Sequence, residues 1–154
     1  SWNTMRARHC NWVRLRDRKS GAEFRVLDIH LDHKSDDARR EQMKMIVGEC
    51  AQYADGFPQI ICGDFNSGIE NAPVACLRDA GWQEAYEAVH GPGEAGFTYH
   101  GFKGPDYRKK NARRIDFIFV RGNLQPVAAE ILRDKVDGLY PSDHYFLMSD
   151  FIIQ

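Results

Sequence analysis

The sequence predicts an α/β (α+β) fold, with one mixed sheet carrying helices on one of its faces. Three observations lead there. Short apolar runs of strand length are interleaved with segments of helical periodicity along the chain, which argues for a mixed sheet. Glycine, proline and polar turn residues punctuate the boundaries between them. The composition is that of a globular domain: 154 residues, 43% apolar and 28% charged, enough to bury a core. We expect a single domain over residues 1–154.

The elements follow in order. Cys10 to Arg16 reads as a strand in which Trp12, Val13 and Leu15 are mixed with arginine. Lys19-Ser20-Gly21 is a turn, and Phe24 to His30 is the second strand of a hairpin. Ser35 is a candidate N-cap for a helix starting near Asp36 or Asp37, whose carboxylates suit a helix N-terminus. Met43, Ile46, Val47, Cys50 and Tyr53 recur at helical spacing, and Gly56 and Pro58 end the run. Gln59 to Cys62 is a short buried strand leading into the polar turn Gly63 to Gly68. Asn71 to Asp79 predicts a short helix, and Gly81 to Tyr86 a brief extended or helical piece. Val89 to Tyr99 reads as a glycine-rich loop, and Lys103 to Arg113 as a basic one. Ile115 to Val120, Val127 to Arg133 and Tyr145 to Ile153 are strands, with Leu139 to His144 a loop.

The formal net charge is −1, so the chain advertises no general polyanion surface. Two local basic clusters exist, Arg6 to Lys19 and Lys103 to Arg114; the second is the better candidate for a phosphate track. The four cysteines have no Cys-x-x-Cys spacing, so neither a zinc site nor a disulfide framework is expected. Cys62 reads as a buried thiol. No stretch approaches the ~20 apolar residues of a membrane span, and Ser1 to Thr4 carries no signal pattern. The expected compartment, for the sequence as written, is the cytoplasm.

Four segments place ionisable groups at strand ends: His30, Asp64 with Asn66, Asp116, and Asp143-His144. Sites of sheet proteins gather at such ends. Singly, each has a plain structural reading, such as an Asx turn at Asp64 or a satisfied histidine at His30. Together they suggest carboxylates gathered around a hard divalent cation with oxygen ligands.

The motifs Asp28-Ile29-His30, Gly63-Asp64-Phe65-Asn66, Arg114-Ile115-Asp116-Phe117-Ile118 and Ser142-Asp143-His144 resemble, in this order, those of the endonuclease/exonuclease/phosphatase superfamily. His30-Leu31-Asp32-His33-Lys34-Ser35 and Thr98-Tyr99-His100-Gly101-Phe102 resemble its bacterial branch. The resemblance implies a truncated DNase I-like sandwich and Mg²⁺ or Mn²⁺ as cofactor. It implies His144 as general base oriented by Asp116, and Asp64 as the residue that positions water. It further implies Asn66 as a donor to a phosphoryl oxygen, His30 as phosphate donor or acid, and Asp143, Asp64 and Asn66 as metal contacts. Asn66, His100, Arg113 and Arg114 are the expected substrate contacts, whereas Arg39 is expected in a surface ion pair. Family members carry an earlier half with a Gln-Glu pair that holds the metal. Here only Glu23 precedes His30, and Asp28, Asp32 and Glu41 are the nearest stand-ins. The exposed sheet face is expected to pair with a second copy.

The expected function is therefore a divalent-metal-dependent phosphodiesterase or nuclease on DNA or RNA. The competing readings are a phosphomonoesterase or lipid phosphodiesterase on the same site, and an inactive binding module.

Overall fold

A computed structural model describes residues 2, 4, 6–93, 96–107, 110 and 112–154. Within the basic loop, Arg108, Lys109 and Asn111 lie outside the described residues. The strands are β1 (Cys10–Arg16), β2 (Glu23–His30), β3 (Gln59–Asp64), β4 (Gln83–Glu84), β5 (Asp116–Arg121), β6 (Leu124–Leu132) and β7 (Phe146–Ile153). The helices are α1 (Asp36–Cys50), α2 (Ala72–Asp79) and α3 (Ala85–His90).

Alternation along three central strands builds the main sheet. Leu27 and Ile29 of β2, Ile61 of β3 and Phe117 and Phe119 of β5 point to one face, because successive side chains of a strand alternate. There they form a core with Met43, Ile46 and Cys50 of α1 and Val74 and Leu77 of α2. The Ser35 hydroxyl caps α1 by accepting from the Ala38 N–H at 3.1 Å. The sheet order is β1-β2-β3-β5-β4. β2 and β3 run parallel, and the other pairs are antiparallel, so this is the mixed sheet expected from sequence.

The last two strands do not join it. Among the described residues, β6 and β7 pair only with each other, as a second antiparallel sheet. The chain turns at Gly122, which has φ +80° and sits where a Cβ would meet the Phe57 carbonyl oxygen at 2.2 Å. That turn carries Leu124, Phe151 and Ile153 against Ile60 and Val120 on the sheet face away from α1. The single-sheet expectation is thereby corrected to two packed sheets.

Smaller differences concern boundaries. β3 continues through Gly63 and Asp64 instead of turning at Gly63. β6 begins at Leu124 rather than Val127. Val89 and His90 belong to α3 rather than a loop; the Glu84 carboxylate caps that helix by accepting from the Glu87 N–H at 2.8 Å. Cys62 is half-buried, and burial pushes its thiol up to about 11.

Candidate active site

Strand register assembles the site. His30 on β2 pairs with Asp64 on β3, and Asp64 pairs with Asp116 on β5. Cross-strand partners point to the same face, so these three side chains stand in a row on the face away from α1. Gly63 permits this row: its φ is +133°, and a Cβ there would lie 2.0 Å from the Ile29 carbonyl oxygen.

The fourth member comes from the loop before β7. His144 Nδ1 lies 2.8 Å from Asp116 Oδ2. Asp116 is itself anchored, since the buried Thr98 hydroxyl accepts from the N–H groups of Ile115 and Asp116 at 3.1 and 3.3 Å. The hydrogen bond from His144 to Asp116 raises the pKa of the imidazole, outweighing the effect of burial. Burial, then the neighbouring charge of Asp116, raise that of Asp64. His30 Nε2 lies 3.4 Å from Asp64 Oδ2. Asn66, in the left-handed region at φ +48°, donates its backbone N–H to Asp64 Oδ1 at 2.7 Å and its side-chain amide to the Leu31 carbonyl at 3.0 Å. An amide carries two hydrogens, so Asn66 retains a donor.

His30, Asp64, Asn66 and His144 line a pocket of about 720 Å³, with Tyr99, Tyr107 and Arg113 in its wall. Asp64, Asp116 and His144 offer ligand atoms that all lie within 4.8 Å of one another. Two carboxylates on adjacent register positions repel unless a cation or proton intervenes. The two carboxylates are hard oxygen donors and fit a divalent ion such as Mg²⁺ or Mn²⁺, with the His144 imidazole beside them.

The stand-in carboxylates are elsewhere among the described residues. Asp28 sits one step down the same face, in the row with Cys62. Asp32 Oδ1 accepts from the N–H groups of Lys34 and Ser35, both at 2.8 Å. Glu41 pairs with Lys44 and Arg40 on the surface of α1. Asp143 is outside the three-residue group; its backbone carbonyl accepts from the N–H groups of His100 and Gly101 at 2.8 and 3.0 Å.

Two expected substrate contacts do not reach the pocket. Arg114 is buried, makes a double hydrogen bond to the buried Glu84 at 3.1 and 3.2 Å, and lies against the rings of Tyr86 and Phe117. Its guanidinium is occupied by the core. His100 is fully buried between Tyr140 and Tyr145, and its Nδ1 accepts from the Gly104 N–H at 3.2 Å. Arg39 is also buried rather than superficial. It binds Asp36 and donates from Nη1 to the Asp32 carbonyl at 2.7 Å, bracing the loop between β2 and α1.

Sequence reasoning missed Arg8 and His33, both of which line the pocket. The histidine six positions before Arg39 and the arginines preceding β1 were visible signals, but nothing local indicates that they meet.

The sequence matches the Endonuclease/Exonuclease/phosphatase family over residues 4–144. The chain belongs to that family. Among solved structures, this family member is similar to a functionally unknown conserved protein from Enterococcus faecalis V583, with TM-score 0.81, 26% identity, and coverage of 94% of this chain and 56% of that one. It is similar to the mannosyl-6-phosphatase Bt3783 of Bacteroides thetaiotaomicron, with TM-score 0.83, 22% identity, and coverage of 98% and 59%. It is also similar to D. rerio TDP2 complexed with single-strand DNA product, with TM-score 0.70, 18% identity, and coverage of 93% and 62%. The chain thus spans less than two-thirds of each of these structures. No curated protein sequence matches it. Among the described residues, no helix is long and apolar enough to cross a membrane.

Proposed function

We propose that this family member is a divalent-metal-dependent phosphoester hydrolase acting as a phosphodiesterase on DNA or RNA. The observation that carries the reading is the convergence of His144, Asp116 and Asp64 at one pocket, with the imidazole hydrogen-bonded to Asp116 at 2.8 Å. A bound Mg²⁺ or Mn²⁺, held by Asp64 and Asp116, would supply charge stabilisation at the phosphoryl group. The remaining roles belong to the chain. Asp116 fixes the ring orientation and tautomer of His144, which takes the proton from an attacking water. Asp64 orients that water. Asn66 donates its remaining amide hydrogen to a phosphoryl oxygen, where negative charge develops. His30, at the rim, hydrogen-bonds the phosphate or protonates the leaving oxygen. Arg113, exposed in the pocket wall, contacts substrate.

Tyr99 and Tyr107 in the same wall favour nucleic acid, because bases stack on aromatic rings. A phosphomonoesterase is the second reading, favoured by the likeness to a mannosyl-6-phosphatase. Plasmid nicking, bis(4-nitrophenyl) phosphate and 4-nitrophenyl phosphate separate the readings, each assayed with Mg²⁺, Mn²⁺ or chelator. The proposal expects nicking and diester hydrolysis that chelator abolishes and that fall steeply with salt. Asp64→Ala and His144→Ala are expected to lose about 10²- to 10⁴-fold in rate. Hydrolysis confined to the monoester would favour the phosphatase, and inert substrates in every metal would leave a binding module. We also hold that Val13 and Leu15, the exposed apolar side chains of β1 on the sheet face away from α1, are covered by a second copy of the chain.

A further inference from the structure

The pocket wall holds more positive charge than one scissile phosphodiester requires. Among the described residues, four cations line it, Arg6, Arg8, Lys110 and Arg113, against the two carboxylates of the proposed centre, Asp64 and Asp116. A phosphodiester carries a single negative charge, and the proposed centre already opposes it with a divalent ion. The cations also differ in where they come from. Lys110 and Arg113 belong to the loop before β5, whereas Arg6 and Arg8 belong to the segment before β1.

Arg8 is the informative one. Its Nη2 lies 2.9 Å from His33 Nδ1. A guanidinium has no acceptor, so Nδ1 must accept and the ring proton must sit on Nε2. The pair then offers the guanidinium fork and an imidazole N–H, both suited to phosphate oxygens. The backbone around His33 is held from behind. The fully buried Asp32 ties down the N–H groups of Lys34 and Ser35, and Arg39 braces the Asp32 carbonyl. A binding group on such a fixed loop loses little freedom when ligand arrives. Within the same pocket, Arg8 and His33 contact each other and act on Asp32, whereas Asp64 contacts Asn66 and His30.

We propose that Arg8 and His33, with Arg6 beside them, form a second anion subsite that holds a phosphate other than the one being cleaved. This deepens the phosphoester-hydrolase reading and rests on it. The preferred substrate then carries at least two phosphate groups, as an oligonucleotide or a bisphosphorylated small molecule does.

The test compares thymidine 5′-(4-nitrophenyl phosphate) with the same ester bearing a 3′-phosphate. Wild-type protein is expected to prefer the 3′-phosphorylated ester by about tenfold in kcat/KM, the scale of one charge-assisted contact. Arg8→Ala and His33→Ala should bring that ratio near one, while Lys19→Ala, in the distant hairpin turn, keeps it. No preference in the wild type, or a preference that survives Arg8→Ala, overturns the subsite. So does an equal loss on both esters, because Arg8 would then serve the reacting phosphate. Should neither ester be cleaved, equilibrium binding of thymidine 3′,5′-bisphosphate against thymidine 5′-monophosphate decides it. An Arg8-dependent preference for the bisphosphate upholds the subsite although the hydrolase reading fails; equal binding ends both. Competition by a hexose bisphosphate against thymidine 3′,5′-bisphosphate tells a sugar source of the second phosphate from a nucleotide source.

Discussion

At the scale of the residue, a side chain's role follows from what occupies its polar atoms. Asp116 and His144 form a pair open to the pocket, and the pairing raises the imidazole pKa above its ordinary 6.5. A general base acts in its neutral form, so activity is expected to rise with pH through a midpoint above that value. Asp116→Asn removes the cause of the shift, so its pH–rate midpoint should move down while the rate falls; an unmoved midpoint would detach Asp116 from His144. Arg114 is the opposite case. Its partner Glu84 is buried with it, both side chains being at most 2% exposed. Arg114→Ala strands a buried carboxylate and should cost about 3–5 kcal/mol of stability, read by urea denaturation. A normal stability with a raised KM would return Arg114 to the substrate. His100 adds a pH signature to the fold. Burial lowers its pKa below 6.5, so the neutral ring is the folded form. Its contribution is fully present above the unfolded value and is lost as pH falls through the lower, folded one. Thermal denaturation should therefore show falling stability on acidification below about 6.5, with a shallower slope in His100→Phe. These roles differ in legibility. Asp116 stood out in the sequence as a carboxylate inside an apolar strand. Arg114, its neighbour but one, looked equally available, because its partner lies thirty positions away.

At the scale of the element, most strands and helices were legible because burial imposes period. Leu27 and Ile29, or Phe117 and Phe119, alternate with half-exposed residues, and Met43, Ile46 and Cys50 recur at helical spacing. Period tells which side of an element is buried, but not which sheet a strand joins. The turn at Gly122, whose Cβ-free approach to Phe57 sends β6 out of the main sheet, has no periodic signature, so the second sheet was not foreseen. Boundaries at the site misled for a related reason. Gly63-Asp64 has turn composition, yet parallel pairing with Ile29-His30 keeps it in β3. That glycine gives an element-scale prediction. Gly63→Ala would drive a methyl group into the Ile29 carbonyl and separate His30 from Asp64. Loss of both folding stability and activity is expected, measured by calorimetry and diester hydrolysis; a stable, active alanine variant would contradict the register account.

At the scale of the whole molecule, the site lies at the carboxyl ends of the parallel β2 and β3, on the face toward the second sheet. It is completed by the loops that precede β5 and β7. On the sheet face away from α1, β1 presents Val13 and Leu15, each more than 40% exposed, while Trp12, also exposed, lies on the α1 face in register with Leu27. Light scattering is therefore expected to give twice the 17.7 kDa chain mass, and Val13→Lys should shift it toward the monomer; a wild-type monomer at all concentrations would remove the second copy from the account. The central claim is that distant segments meet to hold one divalent cation for phosphoester cleavage. Calorimetric titration with Mn²⁺ tests it most directly. The account predicts a saturable site in the wild type that Asp64→Asn abolishes in a protein of unchanged fold; Mn²⁺ heats that are absent, or indifferent to that substitution, would contradict it.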